Sequence, residues 1–573
     1  MRFNFTIFGA LILGLLTTVP VLGQKPEILE AKPLSQTVGQ KKGALRSGTR
    51  LAVPLITWGG DVATIYAQKE GVFKANGLEV DLFPENNFPK QVEACLSGKT
   101  PYLRGTMGMI NAASEVFEQA GLDLVVVYQL TWSSGGDALV TRSSVKNPKE
   151  LKNKTVALQL YGPHMDYLAN ILKSSGVPLE SVNLKWFREL TLPTYDTGGK
   201  TVDPVNAFLE DNDIHGVMCI IPDALALTSG GNVGTGAEGS VKGAQIMVST
   251  KTASRIISDV YAVRSDYYKS NPNQVTAFVK SLMQAEEGLR DLVKNKASRA
   301  AAYQQLMSLS ADLLLGAPQA VPDVEALLGD CEFAGYNGNV AFFTGKGTTR
   351  NMKNLTSEIQ DAFIKFKLMG KRTDLAAAEW DYALLAKGLK YASDVPKPKK
   401  KFDTKKVVAK IEEKISVEPS SWAEEGTLFQ IEITFEPNQS EFPASRYAAD
   451  FNKAVEIAQT YGGSLIIIEG HSDPLGVLRA RKSGKPAVEV QQMVQQAKNL
   501  SLNRSDAVRE SFLKHCKSNN LVVDESQFVA VGLGITSPKF DPPRTKDEWA
   551  ANRRVVFRIK QVEAELSEFS PLE

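Results

Sequence analysis

Three short stretches carry the residue types best suited to recognition chemistry. Gly470-His471-Ser472-Asp473-Pro474 puts a carboxylate on a loop after the apolar run Leu465 to Ile468. Leu500-Ser501-Leu502-Asn503-Arg504 puts a guanidinium at the start of a helical pattern, and Asn552-Arg553-Arg554-Val555 adds two more before a terminal strand. A fixed anion near a fixed planar cation suits a group that holds both an ammonium and a carboxylate, because the guanidinium fork pairs with a carboxylate in bidentate fashion. Each residue also has a plainer reading. Asp473 can cap a turn before Pro474, and Arg504 can sit in a surface ion pair worth only ~0–1 kcal/mol.

A second set lies in the N-terminal half, on loops that leave strands and enter helices. There free backbone N–H groups and the helix dipole favour an anion. In Trp58-Gly59-Gly60-Asp61 the glycines allow close backbone approach and the indole offers a stacking face. Thr106 in Gly105-Thr106-Met107, and Trp132 and Ser133 in Thr131-Trp132-Ser133-Ser134-Gly135-Gly136, add hydroxyl and aromatic groups. Gly162 and His164 in Tyr161-Gly162-Pro163-His164-Met165-Asp166 face them from a second unit, and Pro222-Asp223 ends a strand there. Together they suit a small, partly polar solute. Trp58 and Trp132 can equally be core packing, His164 a cap, and Asp223 either contacts an amine or lies outside the pocket.

The run Gly230-Gly231-Asn232-Val233-Gly234-Thr235-Gly236 lacks the Lys-Ser/Thr of a phosphate loop and reads as a surface turn. No HExxH, nucleophile elbow or paired catalytic carboxylate stands out, so no catalytic residue and no cofactor is expected. Cys95, Cys219, Cys331 and Cys516 lack metal-ligand spacing and read as free, mostly buried thiols.

These residues need elements to hold them. At 573 residues the chain exceeds the ~250–300 at which single cores stop growing, so several domains are expected. A net charge of +2 gives no basic face for nucleic acid. Met1-Arg2, the apolar run Ile7 to Val21 and Val21-Leu22-Gly23 read as an export signal over 1–23, leaving Gln24 first; an uncleaved anchor is the alternative. Residues 24–49 read as a flexible leader. From 50 to 390, strands at Leu51–Leu55, Leu78–Leu82, Leu124–Tyr128, Thr155–Leu158 and Gly216–Ile221 alternate with helices. That implies a largely parallel α/β sheet, with a second lobe over roughly 145–255 and mostly helix after Asn271. Residues 391–420, rich in lysine and proline from Pro396 to Lys406, read as a charged linker that could also touch an anionic polymer. Residues 421–565 follow a β-α-β-α-β order, a small α+β sandwich.

Thr434-Phe435-Glu436-Pro437-Asn438, Gly470-His471-Ser472-Asp473, Leu500-Ser501-Leu502-Asn503-Arg504-Ser505 and Asn552-Arg553-Arg554-Val555 resemble, in order, the signature of OmpA-like C-terminal domains. That resemblance implies non-covalent peptidoglycan binding, with Asp473 and Arg504 on the diaminopimelate of the stem peptide and Arg553 as a further contact. Val477 to Gln496 departs from the family as an Arg-, Lys- and Gln-rich insertion. Thr57-Trp58-Gly59-Gly60, Ala67 to Phe73, Asn76 to Val80 and Asn147 to Ala157 resemble periplasmic substrate-binding proteins of ABC importers, in the sulfonate, nitrate and thiamine-precursor branch. The resemblance implies a two-lobed periplasmic binding protein fold that closes on a small-molecule ligand, with an ABC permease as a further partner. The resulting expectation is an exported, wall-tethered solute-binding protein, in the periplasm at the cell wall and outer membrane. The alternatives are a sensor or structural protein without an import role, and an enzyme similar to thiamine-pyrimidine synthases. Cys219 stands alone where those enzymes carry a cysteine-rich motif.

Overall fold

The computed structural model describes residues 25–39, 41–45, 50–193, 195–231, 233–237, 239–393, 402–417, 427–434 and 445–560. The proposed export signal lies outside them. After a two-residue strand, β1 (Lys25–Pro26), the first lobe opens with β2 (Arg50–Leu55), α1 (Asp61–Lys69), β3 (Glu79–Pro84), β4 (Tyr102–Thr106), α2 (Met107–Gln119) and β5 (Leu124–Ser133). The chain then crosses into a second lobe made of β6 (Asp137–Thr141), β7 (Thr155–Gln159), α3 (Met165–Ser175), β8 (Asn183–Phe187), β9 (Lys200–Thr201), β10 (Gly216–Ile220) and β11 (Gln245–Ser249). It returns through residues 250–257 to β12 (Ser258–Arg264), α4 (Pro272–Lys294), β13 (Cys331–Phe333), α5 (Met352–Lys365) and β14 (Leu375–Ala377).

Strand direction corrects the expectation of a largely parallel sheet. β7 runs parallel to β8 and β10, and β2 parallel to β3, as alternating strands and helices imply. The crossings are different. β12 returns antiparallel beside β5 and β4, and β6 lies antiparallel to β10 and β11. A chain that leaves one lobe and comes back lays the returning strand against the departing one, which reverses its direction. The second lobe therefore begins near residue 134, since β6 belongs to its sheet, and not at 145.

The described part of the expected leader, residues 25–39 and 41–45, is tied to the lobes. β1 pairs with β9, Leu29 bridges to Trp186 in β8, and Leu34 and Val38 are buried against α2. Ser35 Oγ donates to Glu115 of α2 (3.1 Å), while Tyr161 Oη donates to the carbonyl of Lys32 (2.7 Å). Burying Leu29, Leu34 and Val38 outweighs the freedom of this polar segment. The strap thus touches both lobes. α5 does the same from the other end of the chain: Gln360 Nε2 donates to Asn111 of α2 (3.0 Å), and Glu358 lies 3.5 Å from Lys173 of α3.

The C-terminal domain starts inside the expected linker. α6 (Thr404–Val417) follows a buried Phe402, and its Val407 and Ile411 pack with Leu465, Ile467, Val529 and Val531. Residues 394–401, which include most of the lysine run, lie outside the described residues. Beyond it come β15 (Thr427–Thr434), α7 (Ala448–Thr460), β16 (Leu465–His471), α8 (Leu475–Lys482), α9 (Ala487–Ser518), β17 (Phe528–Gly534), α10 (Lys546–Asn552) and β18 (Arg554–Lys560). The sheet order is β15-β18-β16-β17, with only the β16–β17 pair parallel. Of the expected exit motif at 434–438, only Thr434 is among the described residues.

This domain sits on the returning crossing between the lobes. The N–H of Arg255 donates to the carbonyl of Thr460 (3.1 Å), and the N–H of Gly463 to that of Thr252 (3.1 Å). Gln459 accepts from Thr349 and donates to Gly347. Gly463 is needed for close approach, because a Cβ there would overlap the carbonyl of Lys251. Gly463→Val is therefore expected to undock the domain and raise the radius of gyration in small-angle X-ray scattering. An unchanged scattering curve would reject that contact as the anchor.

Candidate functional site

The lobe junction is organised by a fully buried cation. Arg104, in mid-strand on β4, donates from Nη2 to Asp61 Oδ2 (2.8 Å) and from Nη1 to Asp259 Oδ1 (2.9 Å). Burial raises both carboxyl pKa values while Arg104 pulls them down. Asp259 also accepts from Thr131 Oγ1 (3.2 Å), which in turn accepts from the indole N–H of Trp58 (2.9 Å). Next to it, Asp137 accepts from Ser133 Oγ (2.6 Å) and is 2.8 Å from His164 Nε2.

The expected ligand residues are thus partly brought together and partly consumed. Trp58, Ser133 and His164 meet at the junction through Thr131, Asp137 and Asp259, and the Trp58 ring lies against Gly136. Gly59 packs against the backbone of Leu327, and a Cβ on Gly162 would overlap the Gln159 amide oxygen. Thr106 caps α2 by accepting from the N–H of Met109 (3.2 Å). Trp132 packs in the core, edge-on to Phe342 and beneath the Arg255 guanidinium, as its packing alternative has it. Its neighbours along β5 face the junction, and strand alternation turns it to the opposite side. Asp223 accepts from Thr191 (2.6 Å). The sequence reading missed Arg104, Asp137 and Asp259, although a charged residue inside the apolar strand Tyr102–Thr106 was a usable signal.

Asp166 is the least satisfied acid here. It is 3 % exposed, neither carboxylate oxygen has a hydrogen-bond partner, and it abuts Gly108 at the start of α2. Burial pushes its carboxyl up to about 7. A raised carboxyl is protonated in both the folded and unfolded states well below pH 4, so it costs nothing there; the cost builds between about pH 4 and 7 and is constant above that. Asp166→Asn should therefore stabilise the protein at pH 8 by on the order of 2–4 kcal/mol and change little at pH 4. Urea midpoints at the two pH values test this; an equal effect at both would reject the burial explanation.

The C-terminal residues also converge. Asp473 accepts from the N–H of Leu475 (3.0 Å), closing a turn across Pro474 at the start of α8. Its other oxygen lies 3.7 Å from Arg553 Nη1. Arg504 is 5 % exposed, and burial followed by repulsion from Arg553 lowers its proton affinity. Nε of both arginines is buried without a partner. Arg504 sits in the middle of α9 and not at a helix start, because the 477–496 insertion forms α8 and extends α9 backwards. α9 can press this closely on the sheet because Gly470 and Gly532 meet Ser501 and Leu502 without side chains. Beneath, Glu469 and Arg558 pair through two bonds of 2.7 and 2.9 Å. Burial opposes ionisation of Glu469, but His471 and Arg558 hold its carboxyl down at about 2.

Residues 61–292 match the family model described as NMT1/THI5 like, which begins at the Asp61 helix and ends in α4. The chain carries an NMT1/THI5-like region. No curated protein matches the sequence. Among solved structures, the alkanesulfonate-binding protein SsuA from Xanthomonas axonopodis pv. citri, bound to MOPS, is 16% identical, covering 58% of this chain and 100% of its own at a TM-score of 0.38. The periplasmic nitrate-binding protein NrtA from Synechocystis PCC 6803 is 12% identical, over 61% of this chain and 91% of its own, at 0.42. The desulfurization enzyme DSZB is 16% identical, over 57% and 95%, at 0.34. No helix among the described residues is long and apolar enough to cross a membrane.

Proposed function

We propose that the two lobes bind a small solute at their junction and that the C-terminal domain holds them to peptidoglycan. The cluster of Asp473, Arg504 and Arg553 carries this reading. Asp473 lies 3.7 Å from the Arg553 guanidinium, Arg504 is close enough to Arg553 to be repelled by it, and the Nε donors of both arginines have no partner, so the cluster carries one positive charge in excess. The free end of diaminopimelate, an ammonium beside a carboxylate, complements it. The likeness of the four motifs to OmpA-like domains supports the same assignment. The protein then works between the membranes, at the wall, with an ABC permease as its partner in import.

The junction's charge narrows the solute. Asp61, Asp137 and Asp259 outnumber Arg104, so a neutral donor-rich or cationic molecule fits better than a sulfonate or nitrate. A second reading is favoured by the two straps: residues 25–38 and α5 each bind both lobes, which suits a sensor or structural body that opens little.

Purified protein should sediment with isolated peptidoglycan, and Asp473→Ala and Arg504→Ala should each weaken pelleting at least about tenfold. Undiminished pelleting of both variants would sink the tether. Separately, a thermal-shift screen of amines, pyrimidines, amino acids, sulfonates and nitrate tests the junction. A solute at ~100 times its dissociation constant adds ~2.7 kcal/mol. Stabilisation by sulfonate or nitrate alone would overturn the charge argument, and no stabilisation by any compound would favour the strapped, non-importing reading.

A further inference from the structure

The seam between α3 and α5 holds a groove of about 730 Å³ that includes none of Trp58, Gly59, Thr106, Gly162 or His164. Two of its lining groups are poorly explained by folding alone. Asp166, nine-tenths buried and without a hydrogen-bond partner, contributes a carboxylate. Arg350, 2 % exposed, spends Nε on the carbonyl of Arg255 (2.9 Å) and Nη1 on Glu358 (2.9 Å), leaving Nη2 unspent. Between and around them the lining is aliphatic, with Ile256, Leu355 and Ile359 prominent.

We propose that this groove binds a small zwitterion with an apolar tail, an aliphatic α-amino acid or a close analogue. The ammonium would sit on Asp166, the carboxylate on Arg350, and the tail on the aliphatic wall. Three arguments lead there. A buried carboxylate with no partner is costly, and an ammonium removes that cost. The remaining charges along the groove are already paired: Lys173 lies 3.5 Å from Glu358, Lys365 lies 3.7 Å from Glu180, and Asp361 pairs with Arg372, so a ligand without net charge is favoured over an ion. Finally, burying an aliphatic tail contributes about 25 cal/mol per Å² of apolar surface. Because α3 belongs to the second lobe and α5 also packs on α2 of the first, a ligand here sits at a strap between the lobes.

Isothermal titration of the full protein with L-leucine, leucinamide and 4-methylpentanoate tests the assignment. Leucine is expected to give a saturable heat with a dissociation constant below about 1 mM. Leucinamide, which keeps the amine, and 4-methylpentanoate, which keeps only the carboxylate, should each bind at least about tenfold more weakly. In Asp166→Asn, an isosteric change, the preference for leucine over 4-methylpentanoate should vanish. No saturable leucine binding by the unaltered protein overturns the proposal. So does binding whose leucine preference survives in Asp166→Asn, which would move the site elsewhere, including to the lobe junction.

Discussion

The buried guanidinium of Arg104 is the constraint around which the first lobe and its junction are arranged. It lies on β4 and joins Asp61 at the start of α1 to Asp259 on the returning strand β12. Three elements far apart in sequence are thereby fixed where the chain passes between lobes. Removing either carboxylate would leave charge buried without full compensation, which typically costs 3–5 kcal/mol, whereas the intact group adds little net stability. Its value is therefore geometric. Thr131 and Trp58 hang from Asp259, and the neighbouring Asp137 holds Ser133 and His164, so the junction inherits its shape from one charge network.

A second consequence concerns motion. The returning crossing at 250–257 carries the C-terminal domain through Thr252 and Arg255. The straps at 25–38 and α5 bridge the lobes from outside. Any opening must shear buried contacts of Leu34, Val38 and Gln360, or move the docked domain with the hinge.

Much of the architecture was legible from the chain. Apolar periodicity gave the strands at Leu51–Leu55, Thr155–Leu158 and Leu465–Ile468, and the motif order placed Asp473, Arg504 and Arg553 in one domain. Errors clustered where long-range contact overrides local composition. Polar residues 24–49 read as loose, yet a few apolar side chains among them find a buried groove. The lysine-rich stretch read as a linker up to 420, yet Phe402, Val407 and Ile411 recur at spacings that let them cover one face of the C-terminal sheet. Trp132 shows the same limit: residue type alone left ligand stacking and core packing open, and strand alternation turns it into the core.

The sequence by itself determined the order of elements and the residue types at both candidate sites. These follow from local periodicity and side-chain chemistry, which a linear reading can see. Only the tertiary structure decided strand direction at the crossings, the partners of Arg104, and the isolation of Asp166. It alone also decided which residues strap the lobes together. Each of these depends on which distant segments meet, and the energy of a buried charge or an unpaired carboxylate is set by those neighbours and not by the residue itself.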